Sequence, residues 1–302
     1  MSDVVVALDV GGTRVKAALV DSCLTVLASS AEPTPADIAT AFGETVESTA
    51  RRLVTELRAQ GREVRLVGCG VVVPGLVDAV MGVGVLSVNL GWRDLQIREA
   101  VESRLGVPTS VGHDVRSGLV AEARVGAARG AADALFVPVG TGIAGALMLD
   151  GSVVAAGGWA GELGHVVVDP LGPMCPCGGR GCLETIASAA AIAREYAART
   201  GRGVGAQEVA RLAAEGDPVA TAVWHRAVVA LADAIVTTAT ITGVELVLMG
   251  GGLAQSGEVL LAPLRAEIAA RLTFQRPVRL VPAALGDRAG CLGAACLAWD
   301  AR

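Results

Sequence analysis

The sequence predicts an α/β protein of two domains, and three observations carry that prediction. A strand, a glycine and threonine turn and a second strand occur twice: residues 4–8, Gly11-Gly12-Thr13 and residues 17–20, then residues 135–139, Gly140-Thr141-Gly142 and residues 143–149. Repetition of one supersecondary plan points to two related halves. Between these hairpins lie segments with apolar residues at helical spacing, residues 38–59 and 218–240, and a shorter helix is predicted at 288–299. Finally, 302 residues of which 52% are apolar can fill two cores of ordinary size.

Taking the elements in order, the apolar run at 4–8 stops at Asp9, and the glycine pair after it reads as the turn of a β-hairpin. Its amides can point at an anion, as backbone nests do, yet a plain hairpin turn accounts for the pair equally well. The spacing fits neither Gly-x-x-x-x-Gly-Lys-Ser/Thr nor Gly-x-Gly-x-x-Gly before a helix. A further buried strand at 244–249 ends in Gly250-Gly251-Gly252, where a planar ring or a phosphate can approach bare backbone. Three such turns suggest one nucleotide site at strand ends. Pro218 suits the start of its helix, and His225 within it reads as a histidine on a helix face.

Residues 107–111 lead into Gly112-His113-Asp114, which places a carboxylate at a strand end beside an imidazole. Asp114 also reads as the N-cap of a helix over 115–125. Glu162 and His165, three apart, face the same way if they share a turn.

The densest chemistry lies between Gly161 and Glu184. His165, Cys175, Cys177 and Cys182 form a Cys₃His set, which suits tetrahedral zinc and leaves no position open for metal-bound water. Such a zinc is structural. Gly178, Gly179 and Gly181 give the loop the backbone freedom to fold tightly around an ion. Three buried free thiols are the alternative, and a disulfide a weaker one: seven cysteines, with Cys23, Cys69, Cys291 and Cys296 scattered, do not make a secreted framework.

Net charge is −5, so no basic surface invites nucleic acid. Asp3 and Asp9 interrupt the first apolar run, so a secretory leader is not expected, and a cytoplasmic, reduced location is. The uncharged run 134–149 is short of a membrane span and contains Pro138 and three glycines; two buried strands and a turn explain it, and no membrane partner is expected.

Asp9-Val10-Gly11-Gly12-Thr13, Pro74-Gly75, Asp114, Gly140-Thr141-Gly142, Gly161-Glu162-Leu163-Gly164-His165, Cys175-x-Cys177-x₄-Cys182-Leu183-Glu184 and Gly250-Gly251-Gly252 occur in the order of the ROK family, which the chain resembles over nearly its whole length. That family comprises bacterial sugar kinases and sugar-responsive repressors. The resemblance implies an actin-like, ribonuclease-H-like ATPase fold, with two α/β domains flanking a cleft. It places residues 1–113 with 289–302 in the smaller domain and 114–288 in the larger one, which holds the zinc loop.

By the same resemblance Asp114 is the general base. His113, Asp114, Glu162, His165, Glu184, Gly75 and Asn89 meet the sugar. Asp9 helps hold Mg²⁺, and Gly11, Gly12, Thr13, Arg14, Gly140, Thr141, Gly142, Gly250, Gly251 and Gly252 hold ATP. The implied activity is transfer of phosphate from ATP to the 6-hydroxyl of a hexose, glucose ahead of N-acetylglucosamine or N-acetylmannosamine, in a dimer or tetramer. One departure is evident: His113-Asp114-Val115 stands where the family has Asn-Asp-Ala, and Arg116 where a second Asn is common. A repressor of this family carries a helix-turn-helix before the glycine turn, and only eight residues precede Asp9 here. A sugar sensor without catalysis is the alternative from another class.

Overall fold

The computed structural model describes residues 2–302. The chain opens with β1 (Ser2–Val10), β2 (Arg14–Val20), β3 (Val26–Pro33) and helix α1 (Ile38–Ala59). Next come β4 (Val64–Val73), β5 (Leu76–Asp78), β6 (Val83–Ser87), β7 (Trp92–Leu95), α2 (Ile97–Leu105), β8 (Thr109–His113) and α3 (Asp114–Val125). A second series follows: β9 (Ala134–Pro138), β10 (Ala146–Leu149), β11 (Ser152–Val153), α4 (Glu184–Ala187), α5 (Ala189–Thr200), α6 (Ala206–Ala214) and α7 (Pro218–Thr242). The chain closes with β12 (Leu246–Gly250), α8 (Glu258–Arg271), β13 (Arg279–Pro282) and α9 (Ala289–Asp300).

Two compact units result. The first runs to Val125 and adds Ala155–Trp159 and Asp287–Arg302; the second comprises Gly126–Val154 and Ala160–Gly286. Sequence reasoning drew the line at 113/114, whereas α3 goes with the first unit. Close packing inside that unit accounts for it: a Cβ added at Gly293 of α9 would lie 2.3 Å from the Ser117 backbone of α3, so the two helices cross at near-backbone contact.

The first unit is built on a sheet of order β3-β2-β1-β4-β8, in which β1 and β2 are antiparallel, as are β2 and β3, while β4 lies parallel to both β1 and β8. The second has order β11-β10-β9-β12-β13 with the same sequence of antiparallel and parallel pairings. The two related halves expected from the hairpins are thus one sheet plan used twice. Val4, Val6 and Leu8 of β1 enter the core with Phe42, Val46, Leu53 and Leu57 of α1, the helix-period face that the sequence pattern marks.

In the second unit α7 is the central helix. Asp217 caps it by accepting a 2.7 Å hydrogen bond from the Ala220 amide, and Pro218 occupies its first turn, where no amide partner is required. By length and composition α7, rather than the run 134–149, is apolar enough to cross a membrane. Its apolar residues go into the protein core instead: Trp224, Val228, Leu231 and Ile235 pack with Tyr196 and Val247.

Candidate functional site

Asp9 is the next-to-last residue of β1, beside α9 in the first unit. The N-terminal turn of α9 lies so close that a Cβ at Gly290 would sit 2.4 Å from Asp9 Oδ2, which explains a glycine that sequence reasoning did not single out. Burial, and then the charge of Asp114, push the Asp9 carboxyl up to about 7, with Lys16 acting in the opposite direction. A buried carboxylate that also feels the charge of a second one is a donor that suits a hard cation such as Mg²⁺.

Asp114 opens α3 directly after β8, and its Oδ1 accepts the Val115 amide at 2.7 Å. Asp114 is thus the first helical residue and not the N-cap expected from the sequence, because its carboxylate takes only the adjacent amide; His113, one residue earlier, is the side chain placed to accept an amide of the first turn. The His113 Nδ1 lies 3.2 Å from the same oxygen, and the Arg116 amide donates to that nitrogen at 3.4 Å. These contacts make different demands on the ring, a proton toward the carboxylate and a lone pair toward the amide. The imidazole and carboxylate thus form a close pair at the end of β8.

The β1–β2 turn is held by a 3.0 Å bond from the Gly11 amide to the Arg14 carbonyl, and by Thr34 Oγ1 donating to the Gly11 carbonyl at 2.6 Å. Gly12 faces Asn89, whose Cβ would be 3.7 Å from an added Cβ, while Thr13 and Arg14 are exposed. Gly11 and Gly12 have neither a left-handed backbone nor a crowding neighbour, so the fold alone does not require glycine there. Close approach of a ligand does supply a reason. Gly75 is different: φ is +98° and an added Cβ would meet the Leu86 carbonyl at 2.3 Å, so its identity follows from the turn into β5.

In the second unit the β9–β10 turn closes with the Gly140 amide bonded to the Gly142 carbonyl at 2.9 Å, and leaves Thr141 exposed. Glu184, first residue of α4, accepts the Ile143 amide on Oε2 at 2.8 Å. That carboxylate would touch any side chain at Gly142, at 2.3 Å from an added Cβ. Sequence reasoning gave Glu184 to the sugar; one of its oxygens is committed to this turn. The Val139 amide bonds to Gly250 and the Leu253 amide to Val139, which joins the two glycine turns of this unit. Gly250 and Gly251 are glycines for packing reasons, against the Phe136 ring and the Val139 backbone; Gly252 has open space around it and remains the position where backbone is bare.

Glu162 and His165 bracket a single 3-10 turn over Leu163–His165, with Glu162 Oε2 3.9 Å from His165 Nε2. The other ring nitrogen, Nδ1, is 3.7 Å from Cys175 Sγ, and Cys177 Sγ is 3.7 Å from Cys182 Sγ. All four ligand atoms of His165, Cys175, Cys177 and Cys182 lie within 4.8 Å of one another. Ligands at about 2.3 Å from a tetrahedral ion stand about 3.8 Å apart, so the cluster is compatible with structural zinc. Burial raises the Cys182 thiol to about 12, whereas the Gly179 amide and then Cys175 lower that of Cys177. The glycines do what the sequence suggested: Gly178 and Gly181 have positive φ, and a Cβ at Gly181 would overlap the Asp169 carbonyl.

The ROK family profile matches residues 5–301. The chain belongs to the ROK family. A glucokinase from Thermotoga maritima is 31% identical over 312 residues, covering 97% of this chain and 96% of that protein. An N-acetylmannosamine kinase from Salmonella typhi is 32% identical, with 97% of each chain covered. A crystal structure of a ROK family glucokinase from Streptomyces griseus in complex with glucose and AMPPNP superposes with a TM-score of 0.81 at 27% identity, over 98% of this ROK chain and 99% of that one. The mixed α/β units have the actin-like ATPase fold expected for the family. Among the residues sequence reasoning missed, Gly290 gave no local signal, and Arg116 was noted only as a departure from the family pattern.

Proposed function

We propose that the protein is an ATP-dependent kinase that phosphorylates the 6-hydroxyl of a hexose, with glucose as the first substrate to test. The observation that carries this reading is the pairing of Asp9 with Asp114 at strand ends of one unit, next to a glycine turn whose glycines have no structural requirement. A metal-binding carboxylate and a second carboxylate free to take a proton are what phosphoryl transfer needs from side chains.

In this reading Asp114 accepts the proton of the sugar hydroxyl as the hydroxyl oxygen attacks the γ-phosphorus. The bond from that phosphorus to the bridging oxygen of ADP breaks, and ADP leaves with the electron pair. Asp9 would hold Mg²⁺, which supplies charge neutralisation for the phosphates when bound. The turns at Gly11–Arg14 and Gly140–Gly142 offer backbone amides and the Thr13 and Thr141 hydroxyls to phosphate oxygens, and Gly252 leaves space for the adenosine. His113, Glu162 and His165 read sugar hydroxyls, with Glu184 contributing its second oxygen and Gly75 and Asn89 lining the sugar. Zinc on His165 Nδ1 and the three thiolates would fix the ring so that Nε2 is presented to the sugar. Thiolate ligation suits a reduced cytoplasm, and the family resemblance supports a dimer or tetramer, which light scattering would test.

An N-acetylhexosamine, N-acetylglucosamine or N-acetylmannosamine, is the second reading, supported by the 32% identity to an N-acetylmannosamine kinase. The deciding experiment measures ATP consumption by the purified protein with Mg²⁺ and glucose, mannose, fructose, N-acetylglucosamine or N-acetylmannosamine. Turnover of one sugar is expected. Failure with every sugar, in a folded protein, would overturn the kinase reading in favour of a sugar sensor or a donor other than ATP.

A further inference from the structure

Arg116 is a buried cation, with 8% of its surface exposed, two residues after Asp114 on α3. Its Nη1 donates to the Gly158 carbonyl at 3.1 Å. Gly158 lies in Ala155–Trp159, a five-residue segment that belongs to the first unit although the chain on both sides of it belongs to the second. The segment is tightly constrained. Ala156, Gly157 and Gly158 have φ of 45°, 64° and 97°, and a Cβ at Gly158 would lie 2.9 Å from the Val77 carbonyl. A left-handed alanine costs about 1 kcal/mol and persists only where its surroundings fix it.

Three residues later the chain is held again. The Gly145 amide donates to the Gly161 carbonyl at 2.7 Å, and the Leu163 amide to the same oxygen at 2.8 Å. Only Trp159 and Ala160 separate the two anchored carbonyls, and Glu162 and His165 follow immediately. The tether between the two anchored carbonyls is short, about 10 Å when fully extended, so little chain lies between the anchor at Gly158 and the residues that follow Gly161.

We propose that Arg116 is a positioning residue for sugar binding: by holding the Gly158 carbonyl it anchors the upstream end of the segment that carries Glu162 and His165. The guanidinium suits the task because it stays charged when buried and its donors are fixed in direction. The inference rests on the kinase reading for its substrate, but the anchor itself does not.

The test compares wild type with Arg116→Gln, Arg116→Lys and Gly158→Ala in the intact protein. Gly158→Ala disturbs the same segment from the side of Val77 without touching α3. The measurements are steady-state kinetics with glucose and N-acetylmannosamine, KM for ATP, and amide hydrogen exchange across residues 155–166. Arg116→Gln and Gly158→Ala are expected to raise the sugar KM about tenfold, with kcat and the ATP KM within about threefold of wild type, and to speed exchange over 159–165. Arg116→Lys, with a single head group able to reach one carbonyl, recovers part of the sugar KM. Equal losses for sugar and ATP would mean a general structural role and overturn the proposal, as would unchanged exchange at 159–165. If Arg116→Gln does not fold, Gly158→Ala decides the question by the same readings. Absence of turnover in the wild type indicts the kinase reading alone, and the exchange measurement still decides the anchor.

Discussion

In the first sheet β1 carries Asp9 near its end, and β8 ends at His113 with Asp114 directly after it. In the second sheet the strands at the same places in the order, β9 and β13, end in Pro138 and Pro282, and their turns offer backbone groups rather than acids. One scaffold, repeated, has therefore been given two kinds of chemistry. The first unit places negative charge where burial makes it costly. The second presents backbone amides, an exposed threonine and a loop with a Cys₃His cluster. Strand order sets where a site can be; which side chains occupy the strand ends sets what it does.

The largest test of that division is Asp114→Asn. Losing the proton acceptor should lower kcat by about 10²–10⁴-fold, while calorimetry shows sugar still binding, because the amide keeps most of the hydrogen-bonding shape. Activity within a few-fold of wild type would remove the catalytic role from the first unit.

Asp9 gives the next largest effect, and its sign is specific. An unfolded aspartate titrates near about 3.9, and the folded group near about 7, so stability from the protonated form is whole below about pH 4 and is lost as pH rises through 7. The gap corresponds to about 4 kcal/mol at most. Asp9→Asn should therefore melt higher than wild type at pH 8 without Mg²⁺, and show no gain at pH 4. Added Mg²⁺ should raise the melting temperature of the wild type at pH 8 and not that of the variant. A variant less stable at pH 8 would contradict the reading of Asp9 as a carboxylate held ionised at a cost.

On the recognition side, Cys177→Ser should release bound zinc, measured by atomic emission, and weaken sugar binding about tenfold by freeing His165, with kcat at saturating sugar changed less. Retained zinc, or its loss with unchanged sugar affinity, would separate the loop from substrate recognition. The smallest expected effect is that of Gly142→Ala. The new methyl group would displace Glu184 from the Ile143 amide and cost a few-fold in kcat/KM, as one hydrogen bond of this kind contributes only about 1 kcal/mol. Kinetics indistinguishable from wild type would show that Glu184 does not depend on this turn.

Part of this is legible in the sequence. The helix over 38–59 emerged with the same limits because its apolar spacing and its charged face are local properties. The Cys₃His set was legible because three of its members lie within eight residues, and such thiol density has few other uses. The glycine turns were harder to interpret. Gly11 and Gly250 look alike as letters, but Gly250 is explained by a phenylalanine ring that packs against it from another strand, and Gly11 is not. The boundary after Asp114 and the role of Arg116 depended on contacts with α9 and with residues 155–159, which lie far away along the chain.

The sequence by itself determined the helix over 38–59, the duplicated hairpin plan, the candidate Cys₃His cluster and the family, since each depends on composition and spacing legible along the chain. Only the tertiary structure decided that Asp9 is crowded by Asp114, that Glu184 is tied to the Ile143 amide, and that Arg116 grips Gly158. Those facts depend on burial and on which distant groups are brought within hydrogen-bonding range, and the free energy of a charge or a polar group is set by that surrounding rather than by its neighbours in sequence.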